Sequence, residues 1–212
     1  MWRHWLRTVY RYDLLRLELF RLRWGSALQL DDGVSPNLRF TRLRIGPGGR
    51  AEIGRGFATE RMAGNHIWIH AGAALKLHHE CWLRTECGEN RLTLFPGARM
   101  EIGPRTLVNG AMLSAKSELS IGSEVLLGFG VRVLDSDQHD LDRDHPERTE
   151  PVRIGDRVWI GADSMVLRGS TIGDDVVIGA RSLVTGDIPS GVLALGVPAK
   201  PVREIGSRAG CN

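Results

Sequence analysis

His139 stands in the stretch LDSDQHDLDRDHPERTE, residues 134–150, with Asp135, Asp137 and Asp140 within four residues of it. An imidazole exchanges a proton near neutral pH, and a neighbouring carboxylate can fix its tautomer and stabilise the imidazolium. That is the composition of a general base with an orienting partner. Asp137 is taken as the partner, with Asp135 and Asp140 as open alternatives. The same residues also suit a solvated polar loop in which His139 has no task. No serine or cysteine stands beside His139 in a nucleophile pattern. The three cysteines, Cys81, Cys87 and Cys211, are odd in number and form no CxxC pair, so neither a disulfide framework nor a structural zinc is expected. The expected compartment is the reducing cytoplasm.

Positioning this histidine falls to a repeat. Ile154, Ile160, Val166, Ile172, Ile178 and Val184 stand six apart without a slip, and Gly155, Gly161, Gly173 and Gly179 follow four of them. Four residues after each comes Val158, Ser164, Ser170, Val176, Ser182 or Ile188. Neither a 3.6-residue helix nor a two-residue strand has this period alone. It predicts a solenoid of short strands and tight turns, one aliphatic of each hexad pointing inward. The glycine belongs where a side chain would clash or φ must be positive. One hexad cannot bury its own aliphatic, so stacking must supply the stability.

The step continues upstream through Ile121, Leu127 and Val133 and through Ile102, Val108 and Ser114, with one extra residue between the two runs. Two Ile-Gly steps at Ile45 and Ile53 are eight apart, and residues 61–100 are irregular. From Val133 to Ile154 the gap is 21 residues, where the hexads predict the next inward residue at 139. Residues 135–151 must therefore leave the wall, and His139 lies in that excursion. The expected organisation is a terminal segment 1–30, a repeat domain 31–205 and a tail 206–212.

The pI of about 9.0 points toward nucleic acid until the charge is located. Residues 1–24 carry Arg3, Arg7, Arg11, Arg16, Arg21 and Arg23 against Asp13 and Glu18, so the rest of a +3 chain sums to −1. The repeat domain is not a basic surface, and nucleic acid is not expected as a partner. Arginine interrupts every apolar run of MWRHWLRTVYRYDLLRLELFRLRW, which makes it neither a secretion signal nor a membrane span. Trp2, Trp5, Leu6 and Val9 share one helical face, with Arg3, Arg7 and Arg11 on another. Beyond Leu14 the leucines alternate, which weakens the helical pattern. Two readings stay open for residues 1–24. One is a helix capping the open end of the core; the other is an interfacial helix resting on anionic lipid at the inner face of the membrane.

The stretch RIGDRVWIGADSMVLRGSTIGDDVVIGARSLVTGDIPSGVLALGVPAKPVREI resembles the C-terminal part of the hexapeptide-repeat acyltransferases, nearest the galactoside and maltose O-acetyltransferases and the polysaccharide-biosynthesis acetyltransferases. VWIG followed by IP…GVPAKPVR is the specific part, and the DSDQH segment is similar to the loop that carries that family's histidine. The likeness is good over residues 102–205 and loose over 40–100. It implies an all-β solenoid, a left-handed parallel β-helix with an N-terminal helical segment and an extended C-terminal tail. It further implies a homotrimer with sites in the clefts between prisms, and acetyl-CoA as acyl donor with no metal.

By the same resemblance His139 is the base in direct acyl transfer, and Asn109, thirty residues before it in the chain, faces it; the alternative for Asn109 is a bond to backbone turns. Ala162, Ala180 and Thr185 fall at positions that touch the pantetheine arm, and Trp159 at a tryptophan beside the same cleft. Lys200 and Arg203 match cations that reach the nucleotide phosphates. The expected function is O-acetylation of a sugar hydroxyl, in a surface polysaccharide or its lipid-linked precursor. The alternatives are N-acylation of an amino sugar and a trimeric scaffold without catalysis. A zinc hydratase of similar fold would want a histidine on the coil before the loop, and residues 102–133 contain none.

Overall fold

The computed structural model describes residues 2–60 and 64–211; the side chains of helical residues 2–10 lie outside that description, and with them the expected face of Trp2, Trp5, Leu6 and Val9. Helix α1, Trp2–Trp24, is followed by a prism of short strands. The chain winds through three parallel walls in fixed order. Wall one includes Arg50–Ile53, Ala74–Leu77, Arg99–Ile102, Glu118–Ile121 and Val152–Ile154; wall two includes Trp82–Arg84, Leu107–Asn109, Leu126–Leu127 and Trp159–Ile160; wall three includes Asn65–Ile69, Asn90–Leu94, Met112–Ala115, Arg132–Leu134 and Met165–Val166.

The hexads set the register. Ile154 pairs with Ile172 on wall one, Ile160 with Ile178 on wall two and Val166 with Val184 on wall three, so three hexads make one coil. All six are buried, as are Ser164, Ser170 and Ser182 at the corners. The corner serines bind neighbouring turns: Ser164 Oγ donates to Gly179 O at 2.9 Å and accepts from Ser182 N at 3.2 Å. A stack of this kind satisfies its backbone from coil to coil, which is why a lone hexad is not a structure.

The glycine after each inward aliphatic serves close approach rather than positive φ. A Cβ on Gly161 would lie 2.6 Å from Ala180 N on the next coil, and one on Gly122 would lie 2.5 Å from Gly155 O. The left-handed turn position comes two residues later, at Arg157, Asp163, Gly169, Asp175 and Arg181, with φ between 56° and 71°.

Upstream the register differs from the sequence expectation. Leu113, not Ser114, is the inward residue of its strand, pairing with Leu92 and Val133. The chain turns from Val108 to Leu113 through Gly110 at φ 60°, and spare residues accumulate at Lys116 and Ser117. These two amides would be stranded by the shift. Asp135, fully buried, accepts both, Lys116 N on Oδ1 and Ser117 N on Oδ2, each at 2.7 Å.

Helix α1 runs through to Trp24 despite the alternating leucines, because only one of its faces meets the core. Leu17 is buried, Phe20 and Trp24 pack on the core, and Asp13 pairs with Arg39 at 2.6 Å. Capping of the open end is therefore real. At the other end, Ala199–Glu204 pairs antiparallel with Val192–Gly196 on wall two. Asp175 clasps the tail beyond Glu204, accepting Arg208 N at 2.7 Å and Arg157 Nε at 2.8 Å, and these donors, the guanidinium first, hold its carboxyl well below the usual carboxylate range.

Candidate active site

The excursion leaves wall three after Leu134 and rejoins wall one at Val152. Its neck is a short antiparallel ladder: Ser136 bridges Thr149, Asp137 N donates to Arg148 O at 3.0 Å, and Glu150 N to Asp135 O at 2.9 Å. Two cations on the prism pin it from opposite sides. Lys116 Nζ donates to Gln138 O at 3.2 Å and to Glu147 Oε2 at 2.8 Å. Arg168 Nε donates to Asp137 Oδ1 and its other arm to Glu150 Oε1, both at 2.5 Å. Arg168 holds the Asp137 carboxyl below the usual carboxylate range, and Lys116 does the same for Glu147. A loop so tethered holds its root in a fixed place.

One residue beyond the pinned Gln138, His139 is exposed, with no hydrogen-bond or ion-pair partner among the described residues. His145 is committed, its Nδ1 lying 2.7 Å from Asp142 Oδ1, so it is not a free imidazole. None of the three candidate orienting carboxylates reaches His139. Asp135 holds Lys116 and Ser117, Asp137 holds Arg168, and Asp140 Oδ1 accepts Glu147 N at 2.7 Å. Asp137 thus positions the loop within this chain; it does not orient the ring.

Below the loop root is a groove of about 380 Å³ lined by Leu134, Ser136, Gln138, Leu167, Arg168 and Thr185. Thr185 is the one expected coenzyme residue at this corner, where wall three turns into wall one. The remaining expected residues gather elsewhere. Asn109 ends a strand of wall two, and Ala162 and Ala180 sit at the same corner two coils and three coils on. Trp159 is 45% exposed on wall two, with the Arg208 guanidinium 5.8 Å above its ring. Its column continues through Val177 and Leu193 to Arg203, and Lys200 lies on the same terminal strand opposite Leu195.

Wall three separates the two groups. Its strand Met112–Ala115 begins just after the Asn109 corner and ends at Lys116, beneath the loop. Four residues of strand span about 13 Å. Within one chain Asn109 and the root of the loop thus lie toward opposite edges of wall three. Asn109 Oδ1 is buried without a hydrogen-bond partner among the described residues, so it is not spent on backbone turns.

Sequence reasoning missed Lys116 and Arg168, which fix the loop, and Phe129. The ring of Phe129, 44% exposed, lies over Gly88 and Gly110 beside Asn109; a Cβ on either glycine would meet it at 2.6–2.7 Å. Glycines at 88 and 110 were the available signal. Among the described residues no group of three or more histidine, cysteine or carboxylate side chains is arranged to hold a metal.

A three-walled stack with this loop places the chain in a class, the hexapeptide-repeat proteins of left-handed β-helix fold. The model of the bacterial transferase hexapeptide (six repeats) matches residues 151–186. A galactoside O-acetyltransferase of Escherichia coli (strain K12) is 41% identical over 93 residues, 42% of this chain and 46% of that protein. A galactoside O-acetyltransferase of Lactococcus lactis is 35% identical over 116 residues, 52% of this chain and 56% of that protein. The chain spans about half the length of the curated relatives it matches. Among solved structures, the polySia specific acetyltransferase NeuO superposes with a TM-score of 0.59 over 89% of this chain and 92% of that one at 20% identity, a likeness of fold. In sequence over its C-terminal half and in fold over most of its length, the chain is similar to the hexapeptide-repeat acyltransferases.

Proposed function

We propose that this chain transfers the acetyl group of acetyl-CoA to a hydroxyl of a sugar, with His139 as general base. The observation that carries the reading is the unpartnered imidazole at the root of a doubly pinned loop, next in the chain to Gln138, which lines a groove with Thr185. The identity to galactoside O-acetyltransferases supports the donor and the class of acceptor.

In the step, His139 takes the proton of the acceptor hydroxyl as its oxygen attacks the thioester carbonyl carbon. The tetrahedral intermediate expels the thiolate of CoA, which recovers the proton from the imidazolium. The products are an acetyl ester and free CoA thiol, one for one. Asn109, whose Oδ1 is unspent and whose amide can donate, is the proposed group for the acceptor or the reacting oxygen. Ala162, Ala180 and Thr185 leave room for the pantetheine arm, while Lys200 and Arg203 meet phosphates. A homotrimer is part of the reading, because it would lay one copy's loop beside another copy's Asn109 corner.

Thiol release from acetyl-CoA across a panel of sugars and amino sugars tests the proposal. His139→Ala is expected to lower kcat about 10²- to 10⁴-fold. Wild-type protein that neither binds acetyl-CoA nor releases thiol with any acceptor would leave a scaffold instead, and turnover only with amino sugars would make the transfer N-acylation.

A further inference from the structure

The inner face of α1 is occupied, yet its outer face is as apolar as the inner one. Tyr12, Leu15, Leu19 and Leu22 are 54%, 58%, 59% and 66% exposed. Their spacing of three, four and three sets them in one stripe along the helix. Leu17 and Phe20, interleaved with them in sequence, point the other way into the core. Isolated exposed leucines need no explanation, whereas a continuous stripe on a helix that has already buried its other face does.

The unpaired charges flanking the stripe are all positive, since Glu18 on the Arg11 side is paired with Arg21. Arg16 and Arg23 border one side and have no acidic partner among the described residues; Arg11 borders the other. Arg16 and Arg23 also line, with Leu19, Phe20, Arg39 and the 43%-exposed Phe40, a groove of about 390 Å³ between α1 and residues 36–40. The helix's acids are spent elsewhere: Asp13 on Arg39 and Glu18 on Arg21 at 2.8 Å. An apolar band edged by arginines on a helix lying across the end of a prism fits a surface of anionic lipid, with the side chains at headgroup depth. A second copy of α1 laid on the stripe would set arginine rows together without counter-charge. Among the described residues no helix is long and apolar enough to cross a bilayer, so the geometry is that of a helix in the plane.

We infer that α1 docks this protein on anionic membranes through Tyr12, Leu15, Leu19 and Leu22, with Arg11, Arg16 and Arg23 on the headgroups. This does not depend on the acyltransferase reading, and its test reads binding rather than turnover. The full chain is sedimented with vesicles of phosphatidylcholine alone or mixed with phosphatidylglycerol, at low and high salt. Binding is expected to the mixed vesicles only, and to weaken with salt. Arg16→Gln with Arg23→Gln should weaken it about fivefold for each arginine and flatten the salt dependence. The triple variant Leu15→Glu, Leu19→Glu, Leu22→Glu should abolish it while keeping the wild-type melting transition, since none of the three is in the core. Wild-type binding by the triple variant, or no binding by the wild type, overturns the inference. So does a triple variant whose oligomeric mass falls while vesicle binding persists, which would make the stripe a contact between copies.

Discussion

At the scale of single residues, the three aspartates that were candidates to orient His139 are each taken by a donor that sequence proximity does not reveal. Asp135 is claimed by amides 18 and 19 positions away, Asp137 by a guanidinium 31 away, and Asp140 by an amide across the loop. The histidine was legible through the resemblance of the DSDQH segment, since the residues alone equally suit a solvated polar loop. Its surroundings were not, because hydrogen-bond partners on a solenoid are set by coil-to-coil stacking. Arg168 carries the sharpest consequence. It bridges Asp137 and Glu150, one on each strand of the loop neck, from wall three's exit. Being exposed, the pairs contribute little to stability. Their worth lies in position, since a displacement of about 1 Å in a catalytic group can cost about a hundredfold in rate. Arg168→Ala is expected to lower kcat by about tenfold to a hundredfold with KM for acetyl-CoA changed much less, and to open residues 137–150 to limited proteolysis. An unchanged kcat with intact protease resistance would mean that Lys116 alone holds the loop.

At the scale of elements, the six-residue step was sufficient to give the prism and the length of its interruption, because both follow from counting inward aliphatics. It was not sufficient upstream. The passage from Val108 to Leu113 is one residue short and the passage to Ile121 is two long, and only the partner strands Asn90–Leu94 and Arg132–Leu134 show that Leu113 points in. The glycines were legible as a pattern, with two physical reasons left open, and the structure separates them. At Gly122 the reason is approach: a Cβ would lie 2.5 Å from Gly155 O and 2.6 Å from Gly155 C, which are backbone atoms that cannot rotate away. Gly186, outside the run of hexad turns, has nothing within 4 Å of where its Cβ would be, and its φ is not positive. Gly122→Ala is therefore expected to destabilise by about 1–3 kcal/mol through overpacking. Gly186→Ala should stay within about 0.5 kcal/mol of wild type. Denaturant unfolding of both variants checks the pair; equal losses would mean that the coils slide apart more readily than their spacing implies.

At the scale of the whole molecule, the residues expected to act together occupy opposite edges of wall three. The loop, His139 and Thr185 stand at one edge; Asn109, Phe129, Ala162 and Ala180 stand at the other. A rigid parallel wall cannot fold to bring its edges together, so under the proposed function a site needing both would take one edge from each of two copies. Closed rotational symmetry supplies such pairings, since every copy offers the same two edges in the same order. This is testable without a structure of the assembly. Asn109→Ala and His139→Ala chains should each be nearly inactive alone. Co-expressed in equal amounts with different tags, they should recover activity, because a site works when His139 comes from the Asn109→Ala chain and Asn109 from the His139→Ala chain. Random association in a ring gives that combination at about a quarter of the sites. Recovery near that fraction, in complexes pulled down through both tags, supports sites shared between copies. No recovery in such mixed complexes would place both residues of each site in one chain, and the roughly 13 Å between the edges would then have to be closed by movement of the loop.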